Sequence, residues 1–218
     1  SKKKKYGKLI WFHGASVGEI LSVIPLIEKL EKNKKISQIL LTSNTLSSSK
    51  IISNLKLRKT IHQFFPIDSN YHTQKFLDYW KPSIVFFIDS EIWPNMINNI
   101  ERKSISLVLL NARITKKSFK KWKIFSSSAN DLFQKFDICF SSSLQSKKYL
   151  KFLGAKNIKY IGNLKFSQTE NSRANLNRDI KKIFMTKKIW CASSTHYNEE
   201  KICAEAHKKL KSKYKNLL

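Results

Sequence analysis

The stretch WFHGASVGE, residues 11–19, brings a histidine, two glycines, a serine and a carboxylate together. A carboxylate that reaches a substrate hydroxyl can take its proton as a general base, so Glu19 is a candidate for that role. Gly14 and Gly18 would let the backbone approach a ligand closely, and Ser16 lies between them. A structural reading stands beside this one. An acid in the first turn of a helix stabilises the helix dipole by roughly 0.3–1 kcal/mol, and a lone histidine such as His13 is more often packed and hydrogen-bonded than catalytic.

A second acidic pair, Asp89 and Glu91, sits two residues apart in IDSEIWPN. Ahead of Trp93-Pro94 these acids could cap and open a helix. They could equally anchor substrate groups, and close to Glu19 the carboxylates would raise one another's pKa. Arg113, in LNARIT, could pair with one of them. Lys165 follows Gly162-Asn163. In so basic a chain a solvated lysine is the ordinary reading, whereas a cation at a cleft is well placed to neutralise a departing phosphate.

The elements that must carry these residues alternate between two periods. LIWFH, ISQILLTS, TIHQFFPI, PSIVFFID, SISLVLLN, FDICFSS and IKYIG read as buried strands. Between them VGEILSVIPLIEKLEKN, TLSSSKIISNLKL, NYHTQKFLDYW, WPNMINNIERK, a long stretch at 117–134 and LQSKKYLKFLG read as helices. Pro25 inside the first helix makes a kink plausible, and Gly154 closes the last one. Strands alternating with helices predict an α/β fold with a doubly wound parallel sheet. In such sheets ligands bind beyond the carboxyl ends of the strands, which is where His13, Thr42–Thr45, Asp89–Glu91, Asn111–Arg113 and Ser141–Ser143 fall. Strands buried on both faces push polar residues to their ends in any case. That accounts for the serines and threonines better than for two acids and an arginine.

The polar stretch 167–177 reads as a linker. Beyond it a helix from about Arg178, a strand KIWCASS and a helix HYNEEKICAEAHKKLKSKY predict the opening of a second α/β domain at 178–218, after a first domain at 8–166. An apolar run begins at the final NLL, so the sequence reads as a piece of a longer protein.

Of 218 residues, 41% are hydrophobic, enough for a core. No apolar run approaches the roughly 20 residues that span a bilayer, and the lysine-rich start does not resemble a signal peptide. Three widely spaced cysteines suit reduced thiols rather than a disulfide framework or a zinc site. The net charge of +27 points either to an anionic partner or to a compositional drift toward lysine. Only five of the 42 basic residues are arginine, which argues against a dedicated nucleic-acid reader.

Five ordered elements, WFHGASVGE, IDSEIWPN, LNARIT, LGAKNIKYIGNLKF and ASSTHYNEE, resemble the family of 3-deoxy-D-manno-octulosonic acid (Kdo) transferases. The resemblance runs over nearly the whole chain. It implies a GT-B glycosyltransferase in which an N-terminal acceptor-binding α/β domain precedes a Rossmann-like, nucleotide-sugar-binding domain, with the site between them. The implied donor is CMP-Kdo and the implied acceptor a lipid A precursor, lipid IVA. The implied reaction is an inverting transfer in lipopolysaccharide inner-core biosynthesis that uses no metal or cofactor.

By the same resemblance Glu19 is the general base, and Asp89 and Lys165 stabilise the transition state. Ser16, Gly18, Glu91, Asn111 and Arg113 line the acceptor side, and Thr195 and His196 lie on the donor side. The implied location is the cytoplasmic face of the bacterial inner membrane. There a basic protein would meet an anionic surface, each lysine near it contributing about 1 kcal/mol; no nucleic acid is expected.

The sequence departs from the family's usual pattern at four places. Asp89 replaces a glutamate, Ser167 an aspartate, and Asn198 and Ser48 glycines. The family's membrane-anchoring segment and most of its nucleotide-binding half are not in this sequence, so residues 1–218 alone are expected to bind CMP-Kdo poorly. Two other readings remain open. One is a non-catalytic basic module for polyanions or acidic membrane; the other is a related GT-B transferase with another donor.

Overall fold

The computed structural model describes residues 7–167 and 178–218. The chain divides into two compact units, Ser1–Thr169 and Glu170–Leu218.

The first unit is one seven-stranded parallel sheet wrapped by helices. Its elements run β1 (Leu9–His13), α1 (Val17–Glu31), β2 (Gln38–Ser43), α2 (Leu46–Asn54), β3 (Thr60–Phe64), α3 (Asn70–Trp80), β4 (Ile84–Ile88) and α4 (Pro94–Arg102). They continue as β5 (Ser106–Ala112), α5 (Lys116–Ile124), α6 (Ser126–Phe133), β6 (Ile138–Ser141), α7 (Leu144–Phe152) and β7 (Ile158–Tyr160), closed by a 3₁₀ turn at Leu164–Ser167. The strand order is β3-β2-β1-β4-β5-β6-β7. The winding reverses between β1 and β4, which pair in register from Ile10 opposite Ile84 to His13 opposite Phe87. A ligand crevice belongs at that switch point, beyond the strands' carboxyl ends.

Period-two alternation divides the core between the two faces of the sheet. Trp11, Leu40, Val85, Phe87, Leu107 and Leu109 face the helices that follow β3, β4 and β5. Phe12, Ile39, Leu41, Ile88 and Leu110 face α1 and α2. Helix α1 supplies Ile20, Val23, Ile24 and Ile27, all buried at spacings of three and four, each stabilising by roughly 1.5–3 kcal/mol. It continues through Pro25. Burying the C-terminal ends of β1 and β4, His13 and Ile88, under such layers fixes where the residues that follow them emerge.

Two expectations are corrected. The helix predicted over 117–134 is two helices, α5 and α6, broken at Phe125, whose φ of −109° and ψ of 49° are not helical. Ser126, Ser127 and Ser128 follow the break, and serine competes with the helix for backbone hydrogen bonds. Tertiary burial of Ala129, Leu132 and Phe133 accompanies the restart of the helix.

In the second unit α8 (Arg178–Thr186) and α9 (Glu199–Lys213) form as expected. The strand predicted at KIWCASS does not: a single parallel bridge joins Lys188 to Leu217. A buried parallel strand draws its ladder from neighbours and covering layers, and Cys191 is exposed among the described residues of this unit. Of the expected linker 167–177, only Ser167 lies within the described residues. No helix of the described residues is long and apolar enough to cross a membrane.

Candidate functional site

The turn between β1 and α1 presents Glu19 at the switch point. Ser16 caps α1 in a reciprocal capping box, which satisfies helix-end N–H groups that would otherwise lack partners. The Glu19 carboxylate folds back to accept from Ala15 N at 2.7 Å and from Ser16 Oγ at 2.9 Å. The helix-cap reading is therefore realised in full. It does not exhaust the carboxylate, which has about four acceptor sites.

Gly14 is tightly packed: a Cβ there would lie 3.1 Å from Glu19 Cβ and 3.2 Å from Ile88 Cδ1. Gly18 is open, with only Lys165 Nζ and Cε near its missing Cβ, at 3.8 and 3.9 Å. Lys165 thus lies across the first turn of α1.

Asp89 follows β4 with a left-handed backbone, φ 59°, and is 5% exposed. Its backbone N–H donates to Leu110 O and its carbonyl accepts from Arg113 N, tying it to β5. One carboxylate oxygen accepts from Asn111 Nδ2. The other lies 3.5 Å from Lys165 Nζ. That pair is two-fifths open on the lysine side, so it contributes little to stability; it places a cation beside Asp89.

Glu91 is held by His13 Nε2 at 3.2 Å and by Trp93 Nε1 at 2.8 Å. His13 is fully buried, stacked on Phe65 with ring centroids 3.9 Å apart, and its Nδ1 lies 3.0 Å from Thr42 Oγ1. The ring thus meets the Glu91 carboxylate on one side and both the hydroxyl and the carbonyl of Thr42 on the other, Nδ1 lying 3.3 Å from the Thr42 carbonyl oxygen, while the Thr42 hydroxyl donates to Phe12 O. Burial lowers the His13 pKa, partly opposed by Glu91.

The electrostatics of Glu19 follow from this company. Burial raises its pKa above the ordinary carboxylate value; Ser16 and Ala15 hydrogen bonds oppose that, and the charges of Glu91 and Asp89 push it further up. A carboxylate pushed toward neutrality by burial and like charge is a better proton acceptor near pH 7.

The structure thus joins Glu19, Asp89, Glu91, Lys165, Gly18 and Ser16 at one rim. Asn111 is beside them, but 1% exposed and with its amide engaged on both sides, so it is not open to a ligand as the sequence reading had it. Arg113 is corrected too: its side chain is exposed and, among the described residues, pairs with neither acid. Its backbone carbonyl accepts from Ser90 Oγ instead.

The serines and threonines at other strand ends are structural. Thr45 and Ser143 cap α2 and α7, and Ser142 bonds Ala112 O. In the second unit Thr195 Oγ1 donates to Glu200 and His196 N donates to Glu199. Asn198 takes φ 71° there, a conformation asparagine tolerates better than most residues. The sequence reading missed Thr42 and Trp93 as orienting partners; their types carry no signal until the strands are paired.

A parallel, doubly wound sheet with acids gathered at its switch point defines an α/β protein of the GT-B-like class. The UDP-GlcNAc 2-epimerase of Neisseria meningitidis, solved with UDP-GlcNAc bound, shares the fold with a TM-score of 0.64 at 14% identity, over 97% of this chain and 64% of that one. The likeness concerns the fold alone. Residues 1–168 match the family described as 3-deoxy-D-manno-octulosonic-acid transferase (kdotransferase), and the chain belongs to that family.

Among curated relatives, 3-deoxy-D-manno-octulosonic acid transferase of Rickettsia bellii is 34% identical over 93% of this chain and 49% of its own length. The enzyme of the same name from Haemophilus influenzae is 25% identical over 96% of this chain and 50% of its own. The chain spans about half the length of the curated relatives it matches.

Proposed function

We propose that the whole protein is an inverting glycosyltransferase that moves Kdo from CMP-Kdo to a hydroxyl of a lipid A precursor, lipid IVA, and that residues 8–166 form its acceptor-binding half. The observation that carries the reading is the half-buried Glu19 carboxylate at the switch point, its pKa raised by burial and by the charges of Glu91 and Asp89. Family membership supports the sugar class; the solved neighbours support only the fold.

In this reading the acceptor hydroxyl attacks the anomeric carbon of Kdo. Its proton passes to Glu19, and the bond from the anomeric carbon to the CMP phosphate oxygen breaks with its electron pair leaving on CMP. Lys165, beside Asp89 and over Gly18, offsets the negative charge that grows on the phosphate. Ser16 and Glu91 border the acceptor hydroxyls, and Thr195 and His196 serve the donor from the second unit. No step needs a metal or cofactor.

An anionic membrane surface, the cytoplasmic face of the bacterial inner membrane, is the proposed working place. Helix α5 supports it: Lys116, Lys117, Lys120, Lys121 and Lys123 are exposed with no acid among them. Ile124 and Phe125 stand out at its end, 75% and 67% exposed. Basic residues mixed with exposed apolar ones suit an anionic lipid interface.

The test is Glu19→Gln in the full-length protein, assayed with CMP-Kdo and lipid IVA in anionic and in neutral vesicles. A base contributes about 10²–10⁴-fold, so turnover should fall by that order while the far-UV spectrum of the folded protein is retained. Undiminished turnover would remove Glu19 from the mechanism. Equal binding to both kinds of vesicle would remove the membrane surface. Salt-sensitive binding to a random oligonucleotide, with no Kdo transfer, would favour the polyanion module.

A further inference from the structure

We infer that Asn111 is a positioning residue that sets the spacing of Asp89 and Lys165 by holding both at once. This rests on the proposed roles of that pair, but the geometry behind it is independent of them. Asn111 sits near the end of β5 with a left-handed backbone, φ 56°, and is 1% exposed. Its Nδ2 donates to one oxygen of Asp89. Its Oδ1 accepts from Leu164 N at 3.0 Å, and Leu164 is the residue immediately before Lys165.

The amide cannot be turned over. Reversed, it would set its oxygen against a carboxylate and its nitrogen against an N–H, losing both bonds and adding two repulsions. Asp89 is therefore gripped through its side chain and Lys165 through the backbone that carries it. The Asp89 oxygen that Asn111 leaves free is the one 3.5 Å from Lys165 Nζ. The backbone of Asp89 is anchored on either side of Asn111, to Leu110 O and to Arg113 N, so a shift of the β5 end would move the acid as well. A single side chain thus spans three segments of chain: the ends of β4 and β5 and the 3₁₀ turn after β7.

A residue that contacted the acceptor would change KM first. A positioning residue changes kcat, because a misplacement of about 1 Å at the reacting groups costs on the order of 10²-fold. Two variants divide the roles. Asn111→Gly accepts the left-handed backbone and deletes both bonds. Asn111→Asp keeps an acceptor for Leu164 N but faces Asp89 with a second carboxylate.

In the full-length protein both should lower kcat for Kdo transfer by about 10–100-fold with acceptor KM within about twofold. Hydrogen exchange, followed by mass spectrometry of peptides across 160–166, should speed up at the Leu164 amide in Asn111→Gly by about fivefold and stay near the parent rate in Asn111→Asp. A rise in KM with kcat preserved would make Asn111 a substrate contact. Unchanged exchange in Asn111→Gly would deny the clip. The exchange readout needs no turnover, so a parent protein without Kdo transferase activity would overturn the proposed function while the clip is still judged on its own.

Discussion

Two helix N-termini in this molecule carry almost the same side chains. Before and within α1 stand His13, Ser16 and Glu19; before and within α9 stand Thr195, His196, Glu199 and Glu200. In the first, partners come from far along the chain: His13 meets Glu91 across 78 positions, and Asp89 meets Lys165 across 76. In the second the bonds are local, Thr195 to Glu200 and His196 to Glu199. His13 is fully buried and His196 is exposed. A histidine, a hydroxyl and a glutamate at a helix start are therefore ordinary capping chemistry until a sheet delivers distant charges to them. Of these two termini, among the described residues, the α1 terminus is the one that distant charged side chains reach.

The contrast breaks most visibly through packing. Gly14→Ala puts a Cβ 3.1–3.3 Å from Glu19 Cβ, Ile88 Cδ1 and Ile20 Cδ1, where neighbours are held by the core. It should cost about 1–3 kcal/mol, read as a fall in denaturant midpoint at constant m. Gly18→Ala, with nothing nearer than 3.8 Å, is the control and should be neutral or slightly stabilising. Equal effects from the two glycines would mean that the turn is not packed as described.

A smaller effect is written in pH. Burial lowers the pKa of His13 from 6.5, so the unfolded chain binds more protons than the folded one just below that value. Its contribution to stability is intact above 6.5 and is lost as pH falls toward the folded pKa. Glu19 works the other way. Its folded pKa lies above 4.5, so its contribution is intact below 4.5 and is lost as pH rises through the folded value. The two groups thus give slopes of opposite sign, Glu19 from 4.5 upward and His13 from 6.5 downward. Each slope is bounded by one proton, about 1.4 kcal/mol per pH unit. His13→Gln should leave stability falling as pH rises from 4.5, and Glu19→Gln should leave it rising toward 6.5. Denaturant midpoints at pH 4.5, 5.5 and 6.5 decide it; parallel profiles in both variants would refute the assignment.

Much of this was legible before any coordinates. Seven strands and the helices between them follow from alternating periods, because each strand of the first unit is bounded by polar turns. Placing Glu19 and Asp89 at one rim follows from where ligands bind in such sheets, whereas Lys165 joins them only through the family resemblance. What could not be read is whatever depends on strand order. Nothing in LNARIT shows that Asn111 will reach Leu164, or that Arg113 will face solvent while its carbonyl does the bonding. The break at Phe125 and the missing strand at KIWCASS fail for another reason: propensity is local, and burial decides which stretch keeps its period.

The weakest expected effect tests the other side of the comparison. Thr195→Ala and His196→Ala remove side chains whose partners lie within five residues and which are half-buried or exposed. Substitutions at such surface positions stay within about 0.5 kcal/mol, so neither should move the denaturant midpoint measurably. In the full-length protein, the donor role proposed for both residues requires that they raise the KM for CMP-Kdo while the KM for the acceptor holds. A change in acceptor KM instead would place them on the wrong side of the reaction. No change in either constant would reduce this turn to what its bonds already describe, a helix cap, and leave the rim at β1 and β4 as the sole seat of chemistry among the described residues.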